Sequence, residues 1–249
     1  MHQSKLKYLL SLLIILLTQV SFSQTTTNVK QFSKVIISPN IQVTFIEGNE
    51  ESVTIDKTTV PNEKIHIEVN DNTLRIYLDG QKDFPKNETT HKNGYKEKQP
   101  AYKGTVVTAT VTYKTLNDLS IRGEETQVCK SMLTGNNFRL TLYGESHMIF
   151  DKVNLGKLQA TLYGEGSLEI KSGTVKDQKF IAYGEGQVKN FAINSSTAKI
   201  TAYGDANFQI NASESIRITS YGDARLQYKG NADINKGLNI GDVRITKMD

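Results

Sequence analysis

Acidic side chains recur at one place in this sequence: Glu124, Glu145, Glu165, Glu185, Asp205, Asp223 and Asp242 each follow a glycine. Those glycines, at 123, 144, 164, 184, 204, 222 and 241, are separated by 21, 20, 20, 20, 18 and 19 residues. Five of them also follow a tyrosine: Tyr143, Tyr163, Tyr183, Tyr203 and Tyr221. Tyrosines in one column form a strip able to lie against sugar rings or an extended polymer. They could equally do no more than stabilise neighbouring strands, at about 0.2–1 kcal/mol per contact. Carboxylates stacked one repeat apart repel one another, and three arrangements would offset this. Cations such as Ca²⁺ could bridge them, a parallel column of Arg139, Lys179, Lys199, Arg217 and Lys236 could pair with them, or water could solvate them.

Catalysis asks for something different. Glycoside hydrolysis needs two carboxylates across the scissile bond, one with a raised pKa, and a lyase needs a base beside a charge-stabilising cation. Here acids and bases form regular columns, whereas a catalytic site is a local break in a repeat. The marked breaks are the shorter spacing from Gly204 to Gly222 and the stretch 79–104. His2, His66, His91 and His147 are scattered, and no Gly-x-Ser-x-Gly pattern occurs. No catalytic residue, cofactor or metal site is therefore assigned, and the aspartate-rich nonapeptide of calcium-binding β-rolls is absent. The Tyr and acid columns stand as candidate binding residues.

The elements that must carry these columns are strands. Four residues before each glycine stand Leu119, Leu140, Ala160, Phe180, Ile200 and Ile218; four after come Met148, Leu168, Val188, Phe208, Leu226 and Ile245. Two before lie Ile121, Leu142, Leu162, Ala182, Ala202 and Ser220. Even positions thus face a core and odd positions face out, the two-residue period of a strand. Thr141, Thr161, Thr201 and Thr219 add a hydroxyl column three before the glycine. A period near twenty residues means stacked units, so the expectation is an all-β parallel solenoid in seven coils. The glycine is its corner, where positive φ and close backbone approach are both needed.

The N-terminus predicts a secretory signal over 1–23: Lys5 and Lys7, an apolar run from Tyr8 to Val20, then Ser21-Phe22-Ser23. That run is too short to span a membrane. The mature chain, 24–249, reads as one domain. Short alternating strands fill 29–78 and cap or extend the solenoid. The lysine-rich stretch 79–104 reads as an exposed loop, and glycine-anchored coils follow over 105–249. Hydrophobic residues make up 37% and charged residues 22% of the chain, enough for a narrow core. The net charge of +4 is spread without a dense basic block, which argues against nucleic-acid binding. The single cysteine, Cys129, excludes an intrachain disulfide and reads as a small buried apolar side chain.

The cleaved signal, the run from Phe32-Ser33-Lys34-Val35-Ile36-Ile37 through Ser38-Pro39-Asn40-Ile41 to Gln42-Val43-Thr44-Phe45, then Leu74-Arg75-Ile76 and the glycine-anchored repeats together resemble a known family. It is the "putative auto-transporter adhesin, head GIN domain" family of exported bacterial proteins. The resemblance spans about Val29 to Met248, with Tyr-Gly-Glu-Gly or Tyr-Gly-Asp-Ala where members commonly carry Gly-Ser-Gly. It implies a right-handed β-helix and a place in the periplasm, at the cell surface or outside the cell. The outward Arg/Lys, Thr, Tyr and acid columns on a rigid rod point to a non-enzymatic adhesin or scaffold whose partner is envelope glycan or another surface protein. The rivals are a polysaccharide-cleaving β-helix enzyme, lyase or glycosidase, and a purely structural envelope protein.

Overall fold

The computed structural model describes residues 24–81, 87–92 and 95–249, with 87–92 and 95–100 described as backbone alone. The signal-peptide expectation falls on 1–23, outside the described residues. Apart from one 3₁₀ turn at Asn62–Lys64, the regular elements are strands. The first ten are β1 (Thr25–Asn28), β2 (Lys34–Ile37), β3 (Ile41–Glu47), β4 (Ser52–Thr58), β5 (Ile65–Asn70), β6 (Thr73–Leu78), β7 (Asn87–Lys92), β8 (Tyr95–Pro100), β9 (Val107–Tyr113) and β10 (Asp118–Gly123). Two long bent strands follow, β11 (Thr126–Gly144) and β12 (His147–Gly164), then β13 (Ser167–Ile170), β14 (Gly173–Tyr183), β15 (Gln187–Asn190), β16 (Ile193–Asn194) and β17 (Thr197–Tyr203). The last five are β18 (Ala206–Asn211), β19 (Ser215–Tyr221), β20 (Ala224–Lys229), β21 (Asp233–Ile240) and β22 (Val243–Lys247).

They stack as a parallel solenoid. On the first face the order is β6, β2, β10, β11, β12, β14, β17, β19, β21. Past the glycine corner the second face runs β9, β3, β11, β12, β13, β15, β18, β20, β22. A shorter third side is built from β11, β12, β14 and β16. Strands about 4.8 Å apart make this stack roughly 40 Å long.

The anticipated columns are the core. Leu140, Ala160, Phe180, Ile200 and Ile218 lie in strict register and are fully buried, as are Leu142, Leu162, Ala182 and Ala202 beside them. Size alternates to fill the bore: Ala160 precedes Phe180, and Phe180 meets Phe208 from the facing wall at a ring separation of 6.4 Å. The 18-residue interval from Gly204 to Gly222 removes residues from the third side. There Ser213 and Glu214 bond the carbonyls of Ser195 and Ser196, and both other faces keep register.

Three features differ from expectation. The glycines number seven, but as corners they enclose about six turns rather than seven coils. Lys236 does not join the basic column, because a bulge between β19 and β21 pairs it with Ile218 and leaves Asn235 opposite Arg217. The stretch 79–104 holds an antiparallel hairpin, β7 on β8, inserted at the corner between β6 and β9. Its strands, Asn-Glu-Thr-Thr-His-Lys and Tyr-Lys-Glu-Lys-Gln-Pro, carry no aliphatic alternation to reveal them. The N-terminal strands, as anticipated, both extend and cap the solenoid. β2–β3 is inserted between β6–β9 and β10–β11, while antiparallel β5, β4 and β1 close that end. Antiparallel closure protects an edge that would otherwise template further pairing.

Candidate functional site

All seven corner glycines have positive φ, from 82° at Gly144 to 136° at Gly222. A Cβ at Gly164 would stand 2.7 Å from the Gly144 carbonyl oxygen, and one at Gly184 would stand 2.8 Å from that of Gly164. The following acid donates its backbone N–H into the same stack: Glu165 to the Gly144 carbonyl and Glu185 to the Gly164 carbonyl, each at 3.1 Å. Conformation and packing both demand glycine here, and the corner holds the flanking Tyr and acid in register.

Tyr143, Tyr163, Tyr183, Tyr203 and Tyr221 form one unbroken ladder, each residue 38–40% exposed. Successive centroids are 4.8–5.0 Å apart with planes within 7° of parallel. The Arg122 guanidinium lies 5.7 Å from the Tyr143 centroid and closes that end. Rings stacked this closely cover one another's faces, so the ladder presents edges and hydroxyls. A sugar cannot lie flat on an interior ring, which narrows the recognition chemistry to hydroxyl hydrogen bonds and edge contacts.

The acids Glu124, Glu145, Glu165, Glu185, Asp205, Asp223 and Asp242 are all exposed just beyond the corner. Pairing with the basic column does not occur. Six residues separate the two columns, most of a strand length, about 20 Å. Arg139 instead meets Asp118 at 3.7 Å, and Asp242 meets Arg244 at 2.9 Å. Among the described residues no group of three or more His, Cys, Asp or Glu side chains converges as a metal site would.

Glu125 was not singled out by its sequence position, although it breaks a column. Two residues after the glycine stand Ser146, Gly166, Gly186, Ala206 and Ala224 in later turns, all buried and small; here the residue is a buried glutamate. In the neighbouring turn Pro39-Asn40 stands where later turns carry the glycine corner, and the Asn40 backbone bonds the Glu125 carboxylate. The carboxylate also accepts from the Glu124 N–H at 3.2 Å. Burial pushes this carboxyl above the usual range, while backbone donors at Glu124, Glu125 and Asn40 pull it down. A raised folded-state pKa means a proton held more tightly on folding, so this group's contribution falls as pH rises from the ordinary Glu range through the raised value. Glu125→Gln should flatten that pH dependence and gain stability on its alkaline side. Glu125→Ala should lose about 1–3 kcal/mol by stripping the Glu124 N–H of its acceptor. Urea unfolding at pH 4 and pH 8 checks both.

Cys129 is fully buried, its thiol 3.4 Å from the Tyr113 hydroxyl, and burial pushes its pKa up to about 11. It packs as an apolar side chain.

Among the described residues no helix is long and apolar enough to cross a membrane. A search of curated proteins finds no match. Solved structures do match. A putative adhesin from Bacteroides fragilis superposes with a TM-score of 0.76 at 19% identity, covering 91% of this chain and 96% of its own. A putative adhesin from Parabacteroides merdae gives 0.64 at 14%, covering 91% and 96%. A protein from Parabacteroides distasonis described as a putative lipid binding protein gives 0.64 at 18%, covering 92% and 98%. At these identities the likeness is one of fold. The family model described as "Putative auto-transporter adhesin, head GIN domain" matches residues 31–232, most of the solenoid with its inserted N-terminal turn, and the chain belongs to that family.

Proposed function

We propose that this protein is an exported, non-enzymatic binding module of the bacterial cell envelope, which holds an extended ligand, envelope glycan or a surface protein, along its ordered columns. The observation that carries this is the Tyr ladder: five rings at one spacing, exposed and unbroken along the rod. The column keeps partly exposed tyrosines at the surface along its length, where hydroxyl-bearing ring edges can meet a ligand. Membership of an adhesin family supports the same reading and supports an exported or surface location. The exposed acids form a uniform column, and the buried Glu125 carboxylate is occupied by backbone donors, so neither forms the opposed carboxylate pair that a glycosidase uses.

Tyr163, Tyr183 and Tyr203 replaced together by Ala should abolish ligand retention on a glycan array while leaving the far-ultraviolet circular dichroism of the solenoid in place. Equal binding by the triple variant sinks the proposal, as does an intact protein that retains no glycan or envelope protein. Reducing-end and unsaturated-product assays on acidic and neutral polysaccharides should stay at background; product release would favour the enzymatic rival.

A further inference from the structure

On the first face, three columns run side by side along the rod, two residues apart on each strand and hence about 7 Å from one to the next. The first is cationic: Arg139, Gln159, Lys179, Lys199 and Arg217 stand in register on consecutive strands, flanked on their outer side by Asn137, Lys157, Asp177, Thr197 and Ser215. Next come Thr141, Thr161, Ile181, Thr201 and Thr219, and then the five partly exposed tyrosines. Stacking like charges at one strand spacing is unfavourable unless something offsets it. Arg139 is offset by Asp118, whereas Lys179, Lys199 and Arg217 make no ion pair among the described residues. The column opens at its N-terminal end into a groove of about 670 Å³ lined by Lys34, Arg139 and Lys157, by Asp118, which pairs with Arg139, and by amides including Asn137 and Gln159. The acid column lies past the glycine corner, off this face.

We infer that this face binds an acidic polysaccharide laid along the rod axis, its anionic groups on the Arg139–Lys179–Lys199–Arg217 column and its hydroxyls over the Thr and Tyr columns. This rests on the binding-module reading and adds the ligand class and the residues that select it. The unpaired cations lack a counter-charge that a polyanion of short repeat supplies on several rungs at once. Because the Tyr faces are covered, recognition falls to cations and hydroxyls, which suit charged, hydroxyl-rich sugars better than apolar or flat ones. Binding through several such contacts must weaken steeply with salt.

The test is affinity electrophoresis and biolayer interferometry of the full chain against a polyuronate, a sulfated dextran, neutral dextran and duplex DNA, at low and high salt. Expected is retention by the polyuronate or the sulfated dextran, the two arms separating carboxylate from sulfate, with little retention by neutral dextran or DNA. Lys179→Glu/Lys199→Glu/Arg217→Glu should weaken this at least tenfold, and Lys179→Arg/Lys199→Arg should not. The same charge change at Lys130, Lys152 and Lys176, exposed elsewhere on the rod, should have little effect. Equal loss in that control, or equal binding of DNA, means general attraction to polyanions and overturns the inference. Neutral dextran bound through the tyrosines, with the charge-reversed variant unaffected, overturns it while sparing the binding module. No binding to any glycan or envelope protein ends both.

Discussion

Gly184→Ala lowers the stability of the solenoid by at least about 2 kcal/mol, and Gly104→Ala by no more than about 1 kcal/mol. Both glycines have positive φ, 109° and 60°, so both substitutions carry the conformational penalty of an L side chain in that region. Only Gly184 adds a collision: its Cβ would meet the Gly164 carbonyl oxygen at 2.8 Å and the carbonyl carbon at 3.3 Å, backbone atoms held by the stack. Gly104 has nothing within 4 Å of that position. Urea denaturation followed by circular dichroism separates the two effects. Equal losses would mean that close approach between turns contributes nothing, and that the corner needs glycine only for its dihedral.

Gln127→Met should cost about 2–5 kcal/mol, although it makes the core more regular. Position 127 stands in the column of Met148, Leu168, Val188, Phe208 and Leu226, where an amide looks out of place. Its Oε1 accepts from the Val43 N–H at 2.6 Å, and its Nε2 donates to the Ile41 carbonyl at 2.9 Å. β11 pairs with β3 only at Val128 and Cys129, so the amide completes a ladder that the backbones leave short. Methionine would fill the space and strand two buried backbone groups, each worth about 1–3 kcal/mol. Denaturant unfolding measures the loss, and amide exchange at Val43 should accelerate. A neutral or stabilising result would show that water or local relaxation supplies the missing partners.

What could be read from the residues was whatever repeats. The columns at Leu140, Ala160 and Phe180, the corner at Gly184 and the Tyr and acid ladders follow from a period near twenty combined with a period of two, because identical turns must superpose. Single, non-repeating solutions escaped. Gln127 and Glu125 act on a neighbouring turn whose corner is Pro39-Asn40, and nothing in the alternation of Val35, Ile37, Ile41 and Val43 says which strands lie above and below. The small residues after the later corners, from Ser146 to Ala224, were the available signal that Glu125 is exceptional. The bulge that displaces Lys236 left a trace in the 19-residue interval before Gly241. That the tyrosine rings hide one another's faces depends on side-chain rotation, which spacing does not encode.

The insertion of β2–β3 between later strands also governs the order in which the molecule can form. Lys34 pairs with Thr73 on one side and Asp118 on the other, and Ile41 pairs with Val107, so the earliest strands of the rod wait for partners far along the chain. The glycine-anchored turns wait only for the next twenty residues. Closing long loops is entropically dear and slow relative to short ones. Folding is therefore expected to start among the repeated turns and spread toward the N-terminal end, with β2–β3 and its antiparallel cover added late.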